Sequence, residues 1–216
     1  TMSVRLPATE EESIAHGALE PALAFARNKQ AVVLGPGLSR HEETVAFVLD
    51  FIPQCAPPLL IDADALNALS ENTNALLDAR SPCVITPHPG EMARLIGQST
   101  AEVQQDREGT AHRFATEHRC VTVLKGHHTV IASATGEIAV NTTGNNGLGT
   151  GGTGDVLAGL IGGLLAQGMT VFDAACLGTY LHGRAGDIAA NLLTPRALIA
   201  SDITQALPTA WKELDD

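Results

Sequence analysis

The run Gly147-Leu148-Gly149-Thr150-Gly151-Gly152-Thr153-Gly154-Asp155 sets bare backbone and one carboxylate directly before a mostly apolar segment, Val156 to Leu165. Glycines permit positive φ and let ligand atoms approach the main chain. A helix start adds N–H groups without intrahelical partners at the positive end of the dipole. Such a place holds an anion. Five of the eight residues before Asp155 are glycine, so Gly151, Gly152, Thr153 and Gly154 form a candidate anion hole, and Asp155 beside it suits a general base toward a hydroxyl. The competing roles are an N-cap for Asp155 and a flexible linker for the glycines. A Walker A loop is excluded, because no Gly-Lys-Ser/Thr follows and no lysine lies between Lys125 and Lys212.

Four further clusters carry candidate chemistry. His88 and Glu91 lie three apart around Pro89-Gly90. Glu91 either caps a helix or holds Mg²⁺ or its waters against a diphosphate, and a neutral His88 can hydrogen-bond an amide or hydroxyl. Asp62 and Asp64 either bind a metal or cap a helix beginning near Ala65. Lys125, before Gly126, either reaches a phosphate while residues 125 to 129 line a nucleotide, or is a solvated strand-end lysine. His127 and His128 read as loop residues facing water, since an adjacent pair lacks the spacing of a metal site.

These clusters need elements to position them. Short apolar runs recur before turn signals: 31–34 before Gly35-Pro36-Gly37, 59–61 before Asp62, 83–85 before Thr86-Pro87, and 121–124 before Lys125-Gly126. Their lack of alternation predicts strands covered on both faces. Helical spacing over 18–27, 42–51, 91–96 and 101–118 alternates with them, which predicts a mostly parallel α/β sheet. Runs 129–132 and 137–140 predict a hairpin across Thr135-Gly136. Helices over 155–167, 171–192 and 201–214 complete a helical C-terminal third. In an open α/β sheet the ligand sits beyond the carboxyl ends of the strands, and every cluster above falls at such an end.

Composition narrows the classes. The chain has 216 residues, 44% of them hydrophobic, enough for one α/β domain with a full core. A formal net charge of −11, from 13 Lys and Arg against 24 Asp and Glu, argues against a nucleic-acid surface, so anions must be held locally. Cys55, Cys83, Cys120 and Cys176 are single and widely spaced, which predicts free thiols in a reducing cytoplasm. The uncharged stretch 156–172 falls short of the roughly 20 residues that span a bilayer, so a soluble protein without membrane contact is expected.

Taken in order, five segments resemble the ADP/ATP-dependent NAD(P)H-hydrate dehydratases of the ribokinase-like superfamily: Val33 to Leu38, Asp62-Ala63-Asp64-Ala65-Leu66-Asn67-Ala68-Leu69, Thr86-Pro87-His88-Pro89-Gly90-Glu91, Val123-Leu124-Lys125-Gly126, and Gly144 through Gly159. The resemblance runs from about Leu34 to the C-terminus and includes Leu181 to Asp187. An ordered succession is more specific than any single motif. It implies a single ribokinase-like α/β domain over 1–216 that lacks the N-terminal strand and helix usual in the family. It implies a lyase that uses ADP or ATP to activate the C6 hydroxyl of hydrated NADH or NADPH, so that phosphate leaves and the nicotinamide double bond returns. Asp155 would be the base at that hydroxyl, with Gly35, Gly37, Asp64 and His88 at the hydrated dinucleotide. Lys125, Gly126, His127, His128, Thr129 and Gly154 would line the adenine nucleotide, and Glu91 would serve Mg²⁺ through water. A homo-oligomer, a tetramer by the same likeness, and an epimerase as a fused domain or separate protein are its implied partners. The runner-up is a small-molecule kinase of the same superfamily, of the hydroxymethylpyrimidine or hydroxyethylthiazole type. A nucleotide-binding regulatory or scaffolding subunit is the third reading.

Overall fold

A computed structural model describes residues 3–214. Among these residues six short strands form one sheet in the order β1-β2-β3-β4-β5-β6: β1 Val32–Leu34, β2 Leu59–Ile61, β3 Cys83–Ile85, β4 Val121–Leu124, β5 Val130–Ala132 and β6 Ile138–Val140. The first four run parallel. The last two pair antiparallel and make the expected hairpin. Every residue of β2, β3, β4 and β5 is buried, which is why their sequences do not alternate.

Alternation reappears as a division between two cores. Leu59, Ile61, Cys83 and Ile85 face the core built with α1 Leu19–Ala26, α2 Glu42–Gln54, α3 Asp64–Leu69 and α4 Pro89–Ile96. Leu60, Val84, Val121 and Val123 face the opposite way, onto α7 Thr153–Ala166 and α8 Val171–Leu193. A third cluster packs α8 against α9 Ala200–Lys212. Gly162 admits this packing on α7, since a Cβ there would lie 2.4 Å from Val33 Cγ2 on β1.

Several boundaries differ from those the periodicity predicts, α2 running on to Gln54 and α4 starting at Pro89 among them, and two bear on the site. The single helix expected over 101–118 is two, α5 Thr100–Gln105 and α6 Arg107–His118. Asp106 breaks it: φ −142°, ψ 69° leave the helical region, and its side chain accepts the Gly109 N–H as the N-cap of the second helix. Likewise α7 begins at Thr153, two residues before Asp155, with Gly152 (φ 86°) as its N-cap. Cys55, Cys83 and Cys120 are buried and Cys176 partly so, and all four are free thiols. Burial pushes the Cys83 and Cys120 thiols up to about 12. No helix among the described residues is long and apolar enough to cross a membrane.

Candidate active site

Parallel register makes the site. Asp62, Thr86 and Lys125 each follow the last residue of adjacent strands, and the main chain continues the ladder past the strand ends: Asp62 N donates to Leu34 O (3.0 Å), Thr86 N to Ile61 O (3.2 Å) and Lys125 N to Pro87 O (2.8 Å). The three side chains therefore meet. Asp62, 2% exposed, accepts from Thr86 Oγ1 (2.8 Å) and Lys125 Nζ (2.9 Å). Glu91 Oε2 lies 3.8 Å from the same ammonium. A buried carboxylate is tolerated only when paired and hydrogen-bonded, and Asp62 satisfies both conditions. The Asp62 side chain does not cap α3, whose N-cap is Ala63; it anchors Lys125.

Glu91 and His88 form a capping box at α4. His88 Nδ1 accepts from Gly90 N (3.0 Å) and Glu91 N (3.2 Å), while Glu91 Oε2 accepts from His88 N (2.7 Å). Asp64 is the first residue of α3, after Ala63 as N-cap, so it does not cap that helix. Its carboxylate accepts instead from Ser39 N (2.9 Å) and Asn67 Nδ2 (3.3 Å), which braces the turn carrying Gly35 and Gly37. Gly37 is exposed with φ 72°, and a Cβ there would meet nothing within 4 Å.

At α7 the N–H groups of Gly154 and Asp155 donate to none of the described residues. Thr153 secures the turn by donating to Leu148 O (2.6 Å) and Thr150 O (2.9 Å). Lys125 Nζ stands 3.7 Å from the place a Cβ on Gly154 would take, so a cation backs the open helix end. Asp155 sits in the first turn, exposed, and accepts no hydrogen bond from the described residues. It is not the N-cap.

A cavity of about 670 Å³ opens beside this helix end. Gly151, Gly152, Thr153, Gly154, residues 125–129, His88 and the segment 141–146 line it. Asp155, Glu91, Gly35, Gly37 and Asp64 are not among the lining residues. Successive helical residues point about 100° apart, so Gly154 faces the cavity while Asp155 flanks it. His127 and His128 are exposed loop residues, as expected, with rings stacked at 4.0 Å.

Three contributors had no individual role assigned from the sequence. Asp187 on α8 accepts from Gly144 N (2.9 Å) and Asn145 Nδ2 (2.9 Å), which holds the segment opposite the anion hole. Thr143 Oγ1 donates to Tyr180 O (2.9 Å) where Gly183 has no side chain; a Cβ at Gly183 would lie 2.2 Å from that hydroxyl. His182, 8% exposed, places Nε2 2.9 Å from Thr153 O, so the ring donates there and braces the first turn of α7. His182 and Asp187 sit in the run Leu181 to Asp187, which is the one signal that pointed to them.

Burial, and then the charge of Lys125, push the His182 pKa down from 6.5 to about 4 despite the Thr153 carbonyl. An imidazole that resists protonation only when folded contributes stability above pH 6.5, and that contribution is lost as pH falls from 6.5 toward 4. Its full size is up to about 3 kcal/mol. His182→Gln, which keeps a donor and cannot protonate, is expected to flatten the acid limb of a stability profile measured by urea unfolding. An unchanged limb would refute the assignment.

Comparisons with known proteins place the chain beside one family. A family model described as NAD(P)H-hydrate dehydratase matches residues 4–209. A bifunctional NAD(P)H-hydrate repair enzyme of Moorella thermoacetica is 44% identical over 215 residues, covering 100% of this chain and 41% of that protein. The ADP-dependent (S)-NAD(P)H-hydrate dehydratase of Neisseria meningitidis is 44% identical over 170 residues, covering 77% of this chain and 57% of its own. The chain thus spans about half the length of these relatives. Among solved structures, the Bacillus subtilis ADP/ATP-dependent NAD(P)H-hydrate dehydratase co-crystallised with ATP and Mg²⁺ superposes with a TM-score of 0.75 at 34% identity, over 85% of this chain and 66% of that one.

Proposed function

From the membership of this chain in the NAD(P)H-hydrate dehydratase family, we propose that it repairs hydrated NADH or NADPH at the expense of ADP or ATP, as a lyase rather than a kinase. The observation that supports this most is the start of α7, where two open N–H groups backed by Lys125 flank a cavity on one side and present Asp155 on the other. The adenine nucleotide lies in the cavity with its terminal phosphate at the helix end. The hydrated nicotinamide lies on the Asp155 side, toward the Gly35–Gly37 turn, and reaches His88 where that residue borders the cavity.

In this account Asp155 takes the proton from the C6 hydroxyl as its oxygen attacks the terminal phosphorus, and the nucleotide leaves as AMP from ADP or as ADP from ATP. The N–H groups of Gly154 and Asp155 stabilise the charge on the transferring phosphoryl oxygens. The C6–O bond then breaks with both electrons leaving on inorganic phosphate. The departing phosphate takes the C5 proton, and the C–H electron pair restores the C5–C6 double bond. Lys125, held by Asp62, steadies the phosphate without moving between steps.

Mg²⁺ fits this site only through phosphate and water. Among the described residues no group of three His, Cys, Asp or Glu side chains is arranged to hold a metal, and one oxygen of Glu91 is already engaged by His88 N. Mg²⁺ commonly keeps its waters and binds through substrate phosphates, with Glu91 assigned to that water shell. When bound it would neutralise the phosphates. A homo-oligomer and an epimerase acting on the same hydrate complete the proposal.

Phosphorus NMR of the reaction mixture separates this reading from the kinase. Inorganic phosphate and AMP or ADP are expected, with one phosphate per hydrate consumed. Accumulation of a stable phosphate ester on the acceptor alcohol would overturn the dehydratase reading.

A further inference from the structure

Arg107, the first residue of α6, is not a lining residue of the cavity, yet its guanidinium gathers the loop that is. It donates to Leu124 O (2.9 Å), to His128 O (3.2 Å) and, at short range, to His127 O. Gly126 makes room for it: the backbone there has φ 148°, and a Cβ would come within 2.8 Å of an Arg107 nitrogen. His128 pays for the same turn with φ 55°.

A trans peptide points its C=O and the next N–H in opposite directions. Because His127 O and His128 O face Arg107, the N–H groups of His128 and Thr129 point away from it. Neither donates to any of the described residues, and both residues line the cavity. Two adjacent free N–H groups make a small acceptor-binding nest. We propose that Arg107 is a positioning residue that turns these two peptides so that their N–H groups meet an acceptor atom of the bound nucleotide. The inference rests on the reading of this cavity as the nucleotide site. Lysine cannot replace it in full, because one ammonium does not reproduce a planar fork spread over three carbonyls.

The test measures ADP and ATP affinity of the protein by calorimetry in the presence of Mg²⁺, with amide ¹⁵N shifts of His128 and Thr129 followed on nucleotide addition. Wild type is expected to bind and to shift both amides. R107M is expected to bind at least about tenfold more weakly and to lose both shifts, with R107K between them. The KM for the hydrated dinucleotide and kcat at saturating nucleotide stay within about threefold. Should R107M fold poorly, R107K carries the same comparison. Nucleotide affinity and amide shifts unchanged in a folded variant would overturn the inference while leaving the proposed function standing, as would a loss of melting temperature that weakens both substrates alike. A wild type that binds neither nucleotide would overturn both.

Discussion

Replacing Asp155 by Asn is expected to lower kcat for hydrate dehydration by about 10²–10⁴-fold, the usual contribution of a positioned general base, while nucleotide affinity stays within about threefold. Asn preserves the size of the side chain and cannot take the hydroxyl proton. The exposed Asp155 carboxylate carries no structural hydrogen bond from the described residues, so a fall in rate cannot be assigned to a lost cap or a loosened helix. Turnover of D155N within about fivefold of wild type, with binding intact, would remove Asp155 from the chemistry. A regulatory subunit without catalysis predicts nucleotide binding and no turnover in wild type and D155N alike, so the same pair of proteins separates the third reading from the first.

Gly35→Ala is expected to produce the largest loss of stability of any single methyl added at this rim. The new Cβ would lie 1.7 Å from the main-chain oxygen of Asp62, and φ is 136°, a conformation that L residues adopt only under strain. Backbone cannot swing aside as a flexible side chain can. A loss of about 3 kcal/mol or more follows from overpacking and strain together, measured by urea unfolding. Activity should fall with it, because Asp62 N is held by Leu34 O and the Asp62 carboxylate holds Lys125. Gly37→Ala is the control: φ is 72° but nothing lies within 4 Å of its Cβ, so a loss of about 1 kcal/mol is expected. Equal losses at the two positions would contradict the close packing of the first strand end on the second.

What could be read from the sequence follows the range of the interactions involved. Short buried strands leave a mark because both faces are covered, and Leu59 to Ile61 or Cys83 to Ile85 can be recognised from three residues and a turn signal. The convergence of Asp62, Lys125 and the glycine loop on one rim follows from strand order alone. Roles were harder than places. The position of Asp62 at a strand end is plain from the sequence, but its partner is a lysine 63 positions away. The break at Asp106 is local, yet the helical spacing on either side of it concealed the competing side-chain bond to Gly109 N. Arg107, Asp187 and His182 act on main-chain atoms 17 to 43 residues distant, and a side chain that serves a distant carbonyl or N–H leaves no spacing pattern to find. Their importance emerges only when the sheet and α8 are assembled.

The most direct measurement incubates the protein with hydrated NADH, Mg²⁺ and either ADP or ATP and follows the absorbance of reduced nicotinamide. Return of that absorbance in step with phosphate release, and only when nucleotide is present, is the predicted result. Absence of recovery with both nucleotides, from protein that binds them, would contradict the account.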